Sequence, residues 1–320
     1  MKFIASVFFA TTCLATALDA PKFDLNAAGN ITFAAPEGAH VRYTIDGSAP
    51  GAKSGPYLAP IPLATGGKVQ AVSVSADRKT VSEPIVVRDP LEGEVKPLPS
   101  TLVPCTQDRD FPTYDWAIRH AQVTELTAKK KASLVFIGDS ITQMFGGEPR
   151  DRGQPGKAVW EKFYGARNAT NLGFGYDYVE NTLWRLQHGE LDGASAKAVV
   201  VNIGTNNMGK NTPEEIRAGV NAVLGEVRRS QPKAKVLLLG IYPRGAKPDA
   251  TREKVAKTNM LLAGLDGADA VTFLDVTAKL LEPDGSISKD VMNDYLHPTA
   301  KGYEIIASGT EPTLKKLLGE

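Results

Sequence analysis

Four short motifs, far apart along the chain, contain side chains that could together carry out acyl transfer. The motifs are Gly138-Asp139-Ser140, Asn171-Leu172-Gly173-Phe174-Gly175, Gly204-Thr205-Asn206-Asn207 and Asp294-Tyr295-Leu296-His297. They offer a hydroxyl, backbone N–H groups, a side-chain amide, and an imidazole beside a carboxylate. Each motif alone is weak, because such short strings arise from composition. The ordered set indicates ester-cleaving chemistry.

The hydroxyl and the imidazole are predicted to act as nucleophile and base. A serine needs a positioned base to accept its proton, and the chain has 4 histidines. His297 stands out because Asp294 precedes it by one turn, close enough to fix the imidazole tautomer. The other three are interpreted as solvent-facing or helix-capping residues: His40, His120 and His188. We therefore predict Ser140, His297 and Asp294 as the catalytic group.

A tetrahedral intermediate also needs preplaced hydrogen-bond donors for its oxyanion. Asn206 directly follows an apolar run, so its side-chain amide is a candidate donor. A loop asparagine is by base rate more often a turn former. The presence of the other motifs favours the catalytic interpretation.

The elements that would position these residues alternate between strands and helices after residue 132. Four short apolar runs, at 134–137, 198–201, 236–239 and 271–274, are typical of strands covered on both faces. Segment 213–230 is predicted as a helix, with Thr212 as N-cap and Pro213 in the first turn. The alternation predicts an α/β fold with a parallel sheet, whose strands end at the catalytic edge.

The N-terminal part of the chain has a different character. Residues 1–20 join a positive charge to an apolar run and small residues, as in a secretory signal peptide, and the run is shorter than the about 20 residues of a membrane span. Short alternating runs between Gly, Pro and Asp predict a small all-β sandwich over 21–90. Proline and charge then predict an extended linker over 91–112, before a catalytic domain at 113–320. We expect a secreted, periplasmic or extracellular protein.

Two regions resemble known families. Segment 41–50 is similar to a strand and turn of the chitobiase-type β-sandwich, a module that either contacts a glycan or serves as a spacer. The four motifs, with Leu183-Trp184-Arg185-Leu186 and Gly189-Glu190-Leu191, resemble the SGNH superfamily, or GDSL esterases, in its branch of platelet-activating-factor acetylhydrolase subunits and carbohydrate acetylesterases. This resemblance implies a three-layer, doubly wound, flavodoxin-like sheet. It implies no metal and no organic cofactor.

The same resemblance implies an oxyanion hole formed by the Ser140 N–H, a backbone N–H of the second motif, and Asn206. The family usually has glycine where this chain has Tyr176. A backbone donor survives this change if tyrosine can adopt the local dihedrals. We therefore predict Tyr176 as the donor, with Gly175 as the alternative. The tyrosine ring would narrow the acyl pocket or stack on a sugar, and either outcome favours a short acyl group.

Composition limits the remaining functions. With 37 basic and 36 acidic residues the net charge is +1, which argues against a nucleic-acid surface. After signal removal only Cys105 remains, so no internal disulfide forms and this thiol is interpreted as structural.

The first hypothesis is a secreted serine esterase that removes short acyl groups, chiefly acetyl, from acetylated poly- or oligosaccharides. The alternatives are a lipid or aryl esterase, a thioesterase, a catalytically silent glycan-binding protein and, least supported, a metal-dependent phosphatase.

Overall fold

The computed structural model describes residues 18–62, 68–87, 98–150 and 152–320. The signal peptide predicted for 1–20 therefore lies almost wholly outside the described residues. The helices of those ranges are α1 (Trp116–Lys130), α2 (Ser140–Gln143), α3 (Lys157–Tyr164), α4 (Val179–Gln187), α5 (Pro213–Ser230), α6 (Ala250–Ala263) and α7 (Ala300–Leu318). The strands are β1 (Lys22–Leu25), β2 (Asn30–Ala34), β3 (Ala39–Thr44), β4 (Gly55–Pro56), β5 (Ile61–Pro62), β6 (Val69–Ser75), β7 (Ile85–Val87), β8 (Leu134–Gly138), β9 (Ala169–Gly173), β10 (Ala198–Asn202), β11 (Lys235–Leu239) and β12 (Val271–Leu274).

The C-terminal part contains a parallel sheet of five strands in the order β9-β8-β10-β11-β12. This confirms the predicted doubly wound sheet, because the strand order reverses direction between β8 and β10. Four of the strands coincide with the predicted apolar runs. The fifth, β9, has the sequence Ala-Thr-Asn-Leu-Gly and is wholly buried. Its polar side chains interrupt the apolar pattern by which the other strands are recognised.

Helices cover both faces of this sheet, which makes the three predicted layers. Val135 and Ile137 of β8 pack into one core together with α1, α4, α5 and α6. Leu134 and Phe136 pack into the opposite core with α3 and α7. Successive residues of a strand point to opposite faces, so a strand between two apolar layers is apolar at most of its positions.

Helix α5 follows its predicted bounds because its N-terminal signals are local. The Thr212 hydroxyl accepts from the Glu215 N–H at 3.2 Å, and the Glu215 carboxylate accepts from the Thr212 N–H at 2.9 Å. This reciprocal capping box satisfies two N–H groups that the helix itself cannot use. The helix therefore begins where the sequence indicates.

The register of the sheet brings three of the four motifs to one edge. Gly138 at the end of β8 is paired with Gly173 of β9 on one side and with Asn202 of β10 on the other. Because the strands are parallel and end in the same row, the loops that follow them leave the sheet side by side. The loops carry the first, second and third motifs.

Residues 18–62 and 68–87 form two antiparallel sheets, in the orders β1-β2-β5 and β4-β3-β6-β7. The sheets enclose a small core of mostly aliphatic side chains: Ile31, Val41, Tyr43, Ile61, Val69, Ala71 and Val87. The predicted small β domain is confirmed, and we call it the β module.

The second half of the segment predicted as an extended linker is packed against the rest of the protein instead of extended. Residues 88–97 lie outside the described part of the chain, but Thr101, Gln107 and Asp108 are at most 2% exposed. Asp108 accepts from Arg42 at 2.7 Å and from Arg78 at 2.5 Å, both in the β module. Residues 98–115 therefore pack between the module and the catalytic domain; we call them the bridging segment.

No helix within the described ranges combines the length and apolar character needed to cross a bilayer.

Cys105 lies in the bridging segment, where burial raises the pKa of its thiol to about 12. A thiol that stays protonated is a poor nucleophile, in agreement with the predicted structural role.

Candidate active site

Ser140 occupies the first position of α2, directly beyond the end of β8. Asp139 is the N-cap, and its carboxylate accepts from the Ile141 N–H at 2.9 Å. The backbone N–H of a first helical residue has no partner within the helix, so that of Ser140 can face a ligand. The residue is 5% exposed, which leaves a narrow approach to the hydroxyl.

Gly138 is required for space rather than for an unusual dihedral angle. A Cβ on this residue would lie 2.1 Å from the Thr142 Oγ1 atom and 2.4 Å from the Asn202 carbonyl oxygen. The sequence motif already indicated glycine, and close packing of α2 against the sheet supplies the physical reason.

Hydroxyl, imidazole and carboxylate form a continuous hydrogen-bonded series. The Ser140 Oγ atom lies 2.9 Å from His297 Nε2. The opposite ring nitrogen, His297 Nδ1, lies 2.6 Å from Asp294 Oδ2. A carboxylate at Nδ1 keeps the proton on that nitrogen and leaves Nε2 free to accept the serine proton. The structure places all three predicted catalytic residues together.

Asp294 is held in place by its own loop. Its Oδ1 atom accepts from the backbone N–H groups of Leu296 at 3.0 Å and His297 at 2.7 Å. Partial burial opposes ionisation, but these hydrogen bonds and the imidazole lower the pKa of the carboxyl. The carboxylate is therefore ionised at neutral pH.

The neighbouring Asp139 has the opposite electrostatic environment. Complete burial raises the pKa of its carboxyl to about 7, against the lowering effect of the Ile141 N–H. Asp139 Oδ2 is buried with no hydrogen-bond partner among the described residues. A group with this pKa gains and loses a proton near neutral pH, one residue away from the candidate nucleophile.

The second motif forms a loop whose peptide groups are individually held. Tyr176 has a positive φ of 61°, so tyrosine does adopt the left-handed conformation that suits glycine. The N–H of Gly175, the alternative donor, donates to the Gln143 Oε1 atom at 2.8 Å, which favours Tyr176 over it. Tyr176 remains the candidate donor, with its ring half exposed.

Asn206 lies at the start of a 3-10 turn after β10, beside the same loop. Its side-chain amide donates to the Asp177 backbone carbonyl at 2.9 Å. An amide carries two N–H bonds, so the second can point to an oxyanion. Asn207 has a different role, because its Oδ1 atom accepts from the Val179 N–H at 3.0 Å and so caps α4.

A buried carboxylate behind the loop was not among the residues predicted from the sequence. Asp177 has no exposed surface, and it accepts from Trp116 Nε1 at 2.8 Å, Gln107 Nε2 at 3.0 Å and Arg185 Nε at 2.8 Å. Arg185 also pairs with Glu190. The family resemblance could have marked these residues, since Arg185 and Glu190 lie in segments that carry it and Asp177 directly follows Tyr176. Nothing in the sequence marks Gln107.

His40 is exposed on β3, as expected, and the remaining two histidines belong to packing rather than to chemistry. His188 is the C-cap of α4, as expected, and its ring contacts the Trp184 carbonyl at 2.7 Å. His120 differs from the expectation, because it is stacked on Trp116 and lies 3.7 Å from Glu190 in a largely buried cluster. Across the described ranges, no group of three or more His, Cys, Asp or Glu side chains could hold a metal ion.

A serine, histidine and aspartate in series, at the point where the strand order of a doubly wound sheet reverses, define the class of serine hydrolases built on an α/β fold. Comparison with known proteins agrees. The profile of the GDSL-like lipase/acylhydrolase family matches residues 136–305, and that of the chitobiase/β-hexosaminidase C-terminal domain matches residues 24–86. The chain belongs to the GDSL-like lipase/acylhydrolase family and is an ester hydrolase of that superfamily.

Individual relatives give the same result. Platelet-activating factor acetylhydrolase IB subunit alpha2 of Gallus gallus is 36% identical over 206 residues, which cover 64% of this chain and 86% of that protein. Subunit alpha1 of Homo sapiens is 35% identical, with coverage of 64% and 85%. A solved GDSL-like lipase from Bacteroides thetaiotaomicron has the same fold, with a TM-score of 0.50, 19% identity, and coverage of 62% and 97%.

Proposed function

We propose that this protein is an exported serine esterase that removes short acyl groups, chiefly acetyl, from an esterified carbohydrate. The observation that carries the proposal is the contact of Ser140 Oγ with His297 Nε2 at 2.9 Å, backed by the carboxylate of Asp294. The ester-cleaving class follows from the family. The acyl group, the sugar and the export are proposed here.

In the proposed mechanism, Ser140 Oγ attacks the ester carbon while His297 Nε2 takes the hydroxyl proton. The oxyanion accepts hydrogen bonds from the N–H groups of Ser140 and Tyr176 and from the Asn206 amide. Collapse of the tetrahedral intermediate breaks the bond between the acyl carbon and the alcohol oxygen. The alcohol leaves with the proton from His297, and the acyl group stays on Ser140. A water molecule then attacks the acyl-enzyme and passes one proton to His297. Collapse of this second tetrahedral intermediate breaks the bond between Ser140 Oγ and the acyl carbon, Ser140 Oγ takes the proton back from His297, and the acid is released.

Two observations support a short acyl group. Ser140 is 5% exposed. Tyr176, whose ring is half exposed, lies on the second-motif loop beside the site. A long chain would need an open apolar channel beside the hydroxyl. The relatives are named acetylhydrolases, which agrees with acetyl as the first acyl group to test.

The carbohydrate part rests on the β module, whose sequence matches a domain named after chitobiase and β-hexosaminidase. A second candidate substrate in the same chemistry is platelet-activating factor, because the matched relatives carry that name and this chain covers 86% of one of them. Hydrolysis of either candidate substrate by the same serine mechanism would release acetate.

The test uses the purified full-length protein and measures acetate released from acetylated polysaccharides and from platelet-activating factor. Turnover of synthetic esters of acetate, butyrate and octanoate measures the preference for acyl length. We expect preference for acetate and faster release from at least one polysaccharide than from the lipid. A Ser140→Ala form should be inactive; equal turnover by both forms would remove the serine mechanism, and preference for octanoate would remove the short-acyl assignment.

Export is tested separately in the native host. The signal-like segment at the N-terminus predicts a mature protein that begins near residue 20, outside the cytoplasm. Fractionation followed by N-terminal sequencing checks both points. A cytoplasmic protein that keeps Met1 would contradict the proposed export.

A further inference from the structure

The peptide group between Gly175 and Tyr176 is fixed from its carbonyl side. The Gly175 carbonyl oxygen accepts from Gln107 Nε2 at 2.9 Å and from the Tyr114 hydroxyl at 2.8 Å. The same planar peptide carries the Tyr176 N–H, the candidate oxyanion donor. In a trans peptide the C=O and N–H bonds point in opposite directions. Two donors that hold the carbonyl therefore also set the direction of the N–H.

Both donors are suited to holding this carbonyl. Gln107 is 1% exposed and Tyr114 is 5% exposed, so water does not compete for the carbonyl. Burial, the largest effect, raises the pKa of the Tyr114 hydroxyl well above its usual value, which keeps the phenol protonated as a donor. A hydrogen bond to a peptide carbonyl also polarises the peptide and strengthens its N–H as a donor.

Gln107 is itself fixed by its surroundings. Its Oε1 atom accepts from the Arg109 N–H at 2.7 Å, and Arg109 Nη2 reaches the Tyr176 carbonyl at 3.0 Å. The adjacent Asp108 pairs with Arg42 and Arg78 of the β module. The bridging segment therefore touches two consecutive carbonyls of the loop on one side and the module on the other.

We propose that Tyr114 and Gln107 are positioning residues, which hold the Gly175–Tyr176 peptide so that its N–H faces the oxyanion; this inference rests on the proposed serine mechanism. The left-handed φ of Tyr176 makes the hold necessary, because a residue with a Cβ is strained there. Rotation of the peptide would relieve that strain and turn the carbonyl oxygen towards the oxyanion. Neither residue touches the substrate.

The test compares full-length Tyr114→Phe and Gln107→Leu with the unchanged protein, using p-nitrophenyl acetate. Tyr164→Phe is the matched control, because it also removes a buried hydroxyl, one bonded to Thr310 in the opposite core. The endpoint of an organophosphonate titration counts intact sites, so kcat is expressed per reactive serine. This corrects for any fraction that fails to fold.

Loss of one such hydrogen bond should lower kcat per site about three- to tenfold. The double variant should approach the about 10²-fold loss of an oxyanion donor, with KM and the midpoint of the pH profile unchanged. A kcat per site equal to that of Tyr164→Phe would overturn the positioning role while Ser140→Ala remains inactive. If Ser140→Ala is active, the proposed mechanism fails, and this inference fails with it.

Discussion

Replacing Asp294 by asparagine removes the negative charge of the candidate acid and also changes the hydrogen bond at His297 Nδ1. The oxygen of the introduced amide would still accept from the N–H groups of Leu296 and His297, which now bond to the carboxylate at 3.0 and 2.7 Å. The new amide nitrogen would then face His297 Nδ1. An N–H in that position favours the tautomer with its proton on Nε2, which cannot accept the proton of Ser140.

The expected size of the effect follows from the exposure of the carboxylate. Unit charges about 4 Å apart attract by about 1 kcal/mol in bulk water and about 4 kcal/mol near a protein surface. The Asp294 side chain is 51% exposed, so its stabilisation of the imidazolium should lie between these limits. At about 1.4 kcal/mol per tenfold in rate, loss of this charge alone should lower kcat about 10²-fold. The changed tautomer adds to this loss, up to the about 10⁴-fold known for a fully buried triad aspartate.

The assay measures kcat and KM separately with p-nitrophenyl acetate across a range of pH. Asp290→Asn is the matched control, because Asp290 lies on the same segment with its side chain 78% exposed and pairs only loosely with Lys301 at 3.7 Å. We expect KM to change less than about twofold, since the acid acts on the transition state. A loss confined to KM, or a kcat like that of the control, would refute the orienting role of Asp294.

Three further changes test other parts of the site. Asn206→Ala should lower kcat about 10²- to 10³-fold with little change in KM, measured by steady-state kinetics, because it removes the amide donor. Gly138→Ala should lower the free energy of unfolding by about 1 to 3 kcal/mol in urea, whereas Gly153→Ala, whose Cβ would meet nothing within 4 Å, should not. Asp139→Asn should flatten the pH dependence of stability: the folded pKa of about 7 exceeds the ordinary value of 3.8, so the folded state binds the extra proton between these values. The stability of the unchanged protein relative to this variant should therefore rise by up to about 1.4 kcal/mol per unit as the pH falls through that window, and a constant difference would contradict the assignment.

The features that the sequence predicts well depend on signals close together along the chain. The bounds of α5 follow from a cap and an acid three residues apart, and four strands follow from continuous apolar runs. Asp294 and His297 are also three residues apart, so one turn was enough to suggest their contact. In each case the physical cause and its effect lie within a few residues.

The features that the sequence did not predict depend on distant contacts. Strand β9 carries polar residues because Asn171 Nδ2 donates to the carbonyls of Thr142 and Gly146, both at 2.6 Å. Gln107 and Tyr114 reach Gly175 across more than sixty residues of chain. Such partners leave no periodicity in their own segment, so only the folded chain reveals them.

The two halves of the site are consequently held in different ways. The half with the base is partly exposed, with side-chain exposures of 22% for His297 and 51% for Asp294, and its hydrogen bonds are mostly made within its own loop. The half with the oxyanion donors is backed by the buried side chains of Gln107, Tyr114 and Asp177. It depends on the bridging segment, which is paired with the β module. Loosening the module should therefore affect the oxyanion donors first and leave the contact between His297 and Asp294 intact.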